Sequence, residues 1–208
     1  MKRLGWFLFG IVAAAALALA GMGMFVMGSN GFSANQTPSA AERWFARKVR
    51  SAAVPSDARA LANPMVNSPE VQTEARAHWA DHCAVCHAND GSGQTPLGSK
   101  TYPPSPDMRL AETQQMTDGE LFYIIQNGIR FSAMPAWGAA ANAHSDHDEQ
   151  ASWKLVLFIR HLPGLTLEEK KEMEKLNPKS PDEIQEEREE EEFLKGETNE
   201  PQTPHHHH

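Results

Sequence analysis

The residues with the most specific chemistry in this chain are Cys83-Ala84-Val85-Cys86-His87, a C-x-x-C-H run. Two thiols about one helical turn apart can add to the two vinyl groups on one edge of a haem, and the histidine that follows then stands beneath the iron. Two other chemistries share the thiol pair. A dithiol redox couple calls for a βαβ context, which the flanking sequence lacks, and half a zinc site calls for two further ligands, for which His78 and His82 are nearest. Because the chain holds only 2 cysteines, a disulfide-stapled scaffold and a four-cysteine zinc or iron–sulfur centre are excluded for this chain alone.

With His87 as one axial ligand, a second must return from a distant part of the chain. Met108, Met116, Met134 and Met173 lie downstream. Met134 is the strongest candidate, since it sits in Phe131-Ser132-Ala133-Met134-Pro135, a small-residue loop stiffened behind the sulfur by Pro135. Met108, a histidine, or no sixth ligand are the alternatives. A thioether is soft and neutral, so it favours Fe(II) and raises the potential relative to a second imidazole.

Helices must position these groups. Ser68 caps and Pro69 takes the first helical position, and Val71, Ala75, His78, Trp79 and His82 share a face of a helix that runs straight into Cys83. Residues 88–113 are rich in Gly, Pro, Ser and Asp and must wrap around something. Thr117-Asp118-Gly119-Glu120 is a capping box opening a second helix with Leu121, Phe122, Ile124 and Ile125, which Asn127-Gly128 ends. A third begins near Asp148, carries Trp153, Val156, Leu157 and Arg160 on one face, and ends at Pro163-Gly164. No segment alternates like a strand, so the class is all-α: about three core helices with long loops.

Upstream, Leu4 to Met27 is an uncharged run behind Lys2 and Arg3, and at about 1.5 Å per residue it reaches roughly 36 Å, enough to cross a membrane. Ala18-Leu19-Ala20 has the form of a signal-peptide cleavage site, but the apolar run continues past it, which favours an uncleaved anchor. Arg43, Arg47, Lys48 and Arg50 beyond the span oppose a simple positive-inside count, and the thiol motif, whose attachment chemistry takes place outside the cytoplasm, overrides it. Ser39-Ala40-Ala41-Glu42 opens a short basic amphipathic helix with Trp44, Phe45 and Val49, read either as an interfacial or partner-docking segment or as a helix packed on the next domain.

The charge is uneven. Residues 165–200 hold 14 acids and 6 bases, residues 64–164 hold 11 and 6, and residues 1–63 hold 2 and 7. Nucleic acid is thereby excluded as a partner, because no segment offers a dense cationic footprint. The chain divides into an anchor (1–30), a spacer with the basic helix (31–63), a domain of cytochrome size (64–164) and an acidic, partly helical or disordered tail (165–208). In the tail, Thr166-Leu167-Glu168-Glu169 and Ser180-Pro181-Asp182-Glu183 read as further capping boxes. His144 and His147 lie in a loop better read as solvated than as metal-binding, and His205 to His208 are either a tag remnant or a native His-rich end.

Over residues 65–163 the chain resembles the class I monohaem cytochromes c, in particular membrane-anchored bacterial forms whose sixth ligand comes from a Met-Pro pair. Cys83 to His87, Ser105-Pro106-Asp107-Met108 and Gly128 through Met134-Pro135 carry the resemblance. It implies one covalent haem c ligated by His87 and Met134. It also implies that the Pro106 carbonyl accepts a hydrogen bond from the other ring nitrogen of His87, that Met108 replaces a leucine packed on the haem, and that the first and last helices cross where Ala75 and Trp79 meet Trp153 and Phe158. Arg109, Tyr102, Arg130 and Trp137 flank the ligand segments and are candidates to meet the haem propionates, Arg109 first.

The expectation is an electron-transfer protein rather than an enzyme, without catalytic residues or a small-molecule substrate. It is tethered by one span to the bacterial cytoplasmic membrane with its haem domain on the periplasmic side, and relays electrons between membrane-associated redox partner proteins, its acidic zones selecting basic ones. The alternatives are a haem c subunit of a larger membrane oxidoreductase complex and a haem sensor or enzyme with an open iron position.

Overall fold

The structure is a computed structural model that describes residues 2–28, 33–138 and 146–194. The described residues hold helices and no strand. Helix α1 (Lys2–Gly28) is apolar, and Arg3–Phe25 within it is long and apolar enough to cross a membrane, with none of that stretch buried. After it come α2 (Ala40–Ala53) and the short α3 (Ser56–Arg59).

The helix that carries the thiol motif begins as α4 (Pro69–His78). Ser68 accepts a hydrogen bond from the Val71 amide, and Pro69, which has no amide hydrogen to lose, opens the first turn. The helix does not run straight into Cys83. Trp79–Cys83 forms a π-helical turn in which the Ala84 amide donates to the Trp79 carbonyl, and α5 (Ala84–His87) follows. The wider turn inserts one residue into the helical register, so Trp79, Ala80 and Ala84 all face the core while Cys83 is only partly buried.

Two further helices complete the core. Short α6 (Ala111–Gln114) leads to α7 (Asp118–Asn127), whose capping box between Thr117 and Glu120 forms as expected, and α8 (Asp146–His161) packs across both α4 and α7. The α4–α8 crossing sets Trp79 against Phe158, with ring centroids 5.4 Å apart and both side chains fully buried. Trp153, expected at the same crossing, stacks instead on Phe122 of α7 at 4.0 Å, so the two tryptophans serve different helix pairs. Replacing such a ring with alanine costs about 3–5 kcal/mol, and this contact therefore fixes how α8 lies on the motif helix.

Packing extends beyond residues 64–164 at both ends. Helix α9 (Leu167–Glu174) opens on the Thr166–Glu169 capping box and drives Met173 into the core, where it is completely buried. Arg76 on α4 bonds Glu169 at 2.9 Å, and His161 meets the same carboxylate. Glu169 is pushed up by burial, but hydrogen bonds from Thr166 and His161 outweigh this and hold it below the usual range. On the other side Val54 is buried, the Thr117 hydroxyl donates to the Arg59 carbonyl, and Asn63 donates to the Trp153 carbonyl. Composition marked these segments as spacer and tail because one buried methionine or valine barely alters it. The acidic α10 (Pro181–Leu194) does stand clear, with no buried residue.

Candidate functional site

Cys83, His87, Met108 and Met134 line one apolar cavity with Trp79, Ile125, Trp137, Leu155 and Ile159. Its members come from the π turn, α5, the 88–110 loop, α7, the 129–138 loop and α8. The first and last axial candidates are thus brought together across 47 residues of sequence.

On the motif side, a loop braces the helix end from below. The Gly93 amide donates to the His87 carbonyl at 2.9 Å, and the Thr95 hydroxyl donates to the Val85 carbonyl at 2.8 Å. Gly98 lies so close that a Cβ there would strike the Cys86 carbonyl oxygen, which explains why a side chain is missing at that point. Ala88, immediately after the histidine, has φ 62 and ψ 160. Such a conformation costs an L residue about 1–3 kcal/mol. It is held because the Ala88 amide donates to the Ala84 carbonyl at 2.8 Å and its carbonyl accepts from the Trp79 indole at 2.9 Å. Trp79 also rests on the His87 ring at a centroid distance of 5.7 Å.

Met134 comes from an irregular loop folded back on the end of α7. Its carbonyl accepts from the Ile129 amide at 3.1 Å and its amide donates to the Ser132 hydroxyl at 3.1 Å. Further along, the Trp137 and Gly138 amides donate to the Ile125 and Gln126 carbonyls, each at 3.0 Å. Gly128 makes this return possible. It has φ +65, and a Cβ would stand 2.6 Å from the Pro135 carbonyl carbon and 2.7 Å from the Met134 carbonyl oxygen.

Electrostatics separate the possible chemistries of the thiols. Burial pushes the Cys83 thiol up to about 12, with Cys86 adding to the effect, so it is a neutral thiol near pH 7 and not the activated thiolate of a dithiol redox couple. Burial likewise pushes His87 below its ordinary value, leaving a neutral imidazole with a lone pair to offer. His78 and His82 stack on each other at 4.8 Å, and among the described residues no three of His, Cys, Asp and Glu converge as a metal-ion site. His144 and His205 to His208 lie outside the described residues, as does the side chain of His147.

Residues 70–159 match the family described as cytochrome c oxidase, cbb3-type, subunit III. This is a c-type cytochrome domain. Its cofactor is covalently bound haem c. The chain matches no curated protein.

The residues present fit that cofactor. The cytochrome's cavity holds an imidazole and a thioether, a neutral ligand pair that suits haem iron, with a thiol of the attachment motif beside them. His87 Nδ1 is buried and has no hydrogen-bond partner in the protein. The Pro106 carbonyl does not accept from it. That oxygen faces Gly93, where a Cβ would stand 3.1 Å away.

The remaining expected residues divide between the cavity and the loop around it. Met108 lines the cavity and packs against the core, its amide donating to the Gly91 carbonyl at 2.8 Å and its carbonyl accepting from Gln114 at 2.8 Å. Cys86 is partly buried and is not among the lining residues. Arg109 makes its contacts elsewhere: Nη1 meets Asp90 at 3.0 Å and Nη2 meets Asp107 at 2.7 Å, closing the two ends of the wrapping loop. The Arg109 guanidinium holds the Asp107 carboxyl below its usual range. For Asp90, burial pushes upward, but bonds from Ser92 and the charges of Arg109 and Lys170 outweigh it. Tyr102 reaches Glu42 on α2, Arg130 is exposed, and Trp137 lines the cavity. In the sequence Trp79 and Ile125 are legible only as apolar helix residues, and Leu155 and Ile159 only as part of an apolar run. Their role as cavity wall has no local signal beyond Trp79 lying one turn before Cys83.

Proposed function

We propose that this protein is an electron carrier with a single haem c attached through Cys83 and Cys86, ligated by His87 and Met134, and tethered by α1 to the bacterial cytoplasmic membrane with the haem domain on the periplasmic side. The observation that carries the reading is the convergence of His87 and Met134 in one apolar cavity with Cys83. Haem c supplies a one-electron Fe(III)/Fe(II) couple. The chain's own work is to hold it and set its surroundings. His87 offers a neutral nitrogen, Met134 a neutral sulfur that favours the reduced state, and Trp79, Leu155 and Ile159 exclude water and lower the local dielectric. Among the described residues the cavity wall holds no Asp, Glu, Lys or Arg, which suits electron transfer, with other redox proteins as the partners.

The location rests on two supports. Helix α1 is apolar over Arg3–Phe25, and attachment of haem to such a thiol motif takes place outside the cytoplasm. A second reading, that the chain is the haem c subunit of a larger membrane oxidoreductase complex, is favoured by the description of the matching family as an oxidase subunit. The domain's acidic excess favours basic partner surfaces in either case, and binding that weakens as salt rises is expected.

Redox titration of the membrane-extracted protein, with carbon monoxide added to the reduced form, tests the carrier reading. One reversible one-electron wave and no carbon monoxide adduct are expected. An adduct formed readily at neutral pH would overturn it in favour of an open iron position.

A further inference from the structure

Helix α2 wears its amphipathicity inside out. At about 100° per residue, Arg43, Arg47 and Arg50 fall on one arc, and Ala41, Phe45 and Ala52 on the opposite one, with Trp44 and Lys48 at one border and Val49, Glu42 and Ala46 at the other. The polar arc is the side joined to the haem domain. Glu42 meets Tyr102, Arg47 pairs with Glu112, and Arg50 is the one residue of α2 that is not fully exposed. The apolar arc faces away, leaving Phe45 64 %, Trp44 60 % and Val49 50 % exposed, and no residue of the helix is buried. A helix packed for the benefit of its own domain does the reverse.

What covers this face follows from where the helix is tied. Eleven residues separate the end of α1 from the start of α2, a tether that reaches at most about 40 Å when fully drawn out. Any bilayer that holds α1 is therefore always within reach. The composition matches a headgroup layer rather than a dry protein interface: a tryptophan and a lysine border the apolar stripe, and the helix carries four bases against one acid, Glu42. Lys48 makes no hydrogen bond or ion pair among the described residues, so its ammonium is available to a lipid phosphate.

We propose that the outward face of α2 lies in the interface of the anionic membrane that α1 crosses, so that the haem domain is seated on the lipid surface through the polar face of the same helix. The inference rests on the reading of α1 as a membrane span. Seating of this kind holds the domain close to the membrane, where membrane-embedded partners meet it, instead of letting it sweep the full length of its tether.

The test uses the full-length holoprotein in vesicles of phosphatidylcholine with a minority of phosphatidylglycerol. Single spin labels are placed at Phe45→Cys, Val49→Cys, Ala46→Cys and Ala15→Cys, and collision with oxygen is compared with collision with a water-soluble nickel chelate. The haem spectrum of each variant reports that the domain has folded. Labels at 45 and 49 are expected to favour oxygen over the chelate more than the label at 46 does, which lies between them and the polar arc, with the contrast largest for 45. Labels at 45 and 49 open to the chelate, with the label at 15 at bilayer depth, would overturn this inference and leave the anchor intact. Labels at 45 and 49 shielded from both reagents would overturn it in favour of a protein partner or a second copy. A label at 15 open to the chelate would overturn the anchor reading and this inference together.

Discussion

The two segments that bring His87 and Met134 to the haem cavity are built differently. Cys83, Cys86 and His87 lie within five consecutive residues on a helix, and the backbone beneath them is braced by Gly93, Thr95 and Gly98. Met134 hangs on an irregular loop whose shape depends on Gly128 and on backbone bonds to the end of α7. The attachment side is thus overdetermined by covalent spacing and close packing, whereas the methionine side is set by tertiary contacts. A perturbation on the first side should threaten folding and cofactor retention, and one on the second should alter ligation while the cofactor stays.

The largest effect that would sharpen this contrast is expected at Gly98→Ala. The new Cβ strikes the Cys86 carbonyl, which belongs to the motif helix and has no room to yield. A loss of about 3 kcal/mol in denaturant unfolding, with a reduced yield of holoprotein, is expected. Unchanged stability would show that the brace is looser than the packing implies.

Gly128→Ala comes next, with a loss of about 2 kcal/mol from backbone strain and crowding against Pro135. Here the covalent haem should be fully retained while the methionine–iron absorption weakens. A variant that lost haem but kept its methionine band would reverse the comparison.

Acid should also act on the attachment side first. Asp90, Asp107 and Glu169 are all held below their ordinary values, so their contribution is complete above the unfolded carboxylate range of about 4 and is lost as pH falls through the lower folded values. The thermal midpoint should fall below about pH 4, and Arg109→Gln should flatten that dependence by removing the partner shared by Asp90 and Asp107. An equally steep fall in the variant would disconnect the loop ion pairs from acid stability.

The smallest effect is a gain. Ala88→Gly relieves the positive-φ backbone after His87 and should stabilise the protein by about 1 kcal/mol, less the entropy that glycine adds to the unfolded chain. A loss instead would mean that the Ala88 methyl group contributes packing that outweighs its strain.

The same contrast explains what the amino-acid sequence disclosed. Helix starts were legible because they are local: Ser39, Thr117, Thr166 and Ser180 each form the reciprocal cap with the glutamate three residues on. The thiol motif was legible because its chemistry fixes its spacing. The π turn at Trp79–Cys83 was not, since no propensity distinguishes it from a regular turn and the demand to bury Trp79, Ala80 and Ala84 together arises only once α8 is in place. The packing of residues outside 64–164 was hidden because Val54 and Met173 are each one buried residue in a mostly exposed stretch. The expectation for Pro106 rests on the resemblance, and that for Arg109 on its place beside a ligand segment. In the structure, Pro106 faces Gly93 and Arg109 closes the wrapping loop on Asp90 and Asp107. Met134 and Met108 line the same cavity, so proximity alone does not rank them.

The ferric absorption spectrum of the wild type beside Met134→Ala and Met108→Ala tests the central claim most directly, because the weak long-wavelength band of methionine-to-iron coordination reports the ligand itself. The wild type and Met108→Ala are expected to show the band and Met134→Ala to lack it, with covalent haem present in all three. A band that persists in Met134→Ala, or disappears in Met108→Ala alone, would contradict the assignment of His87 and Met134 as the axial pair.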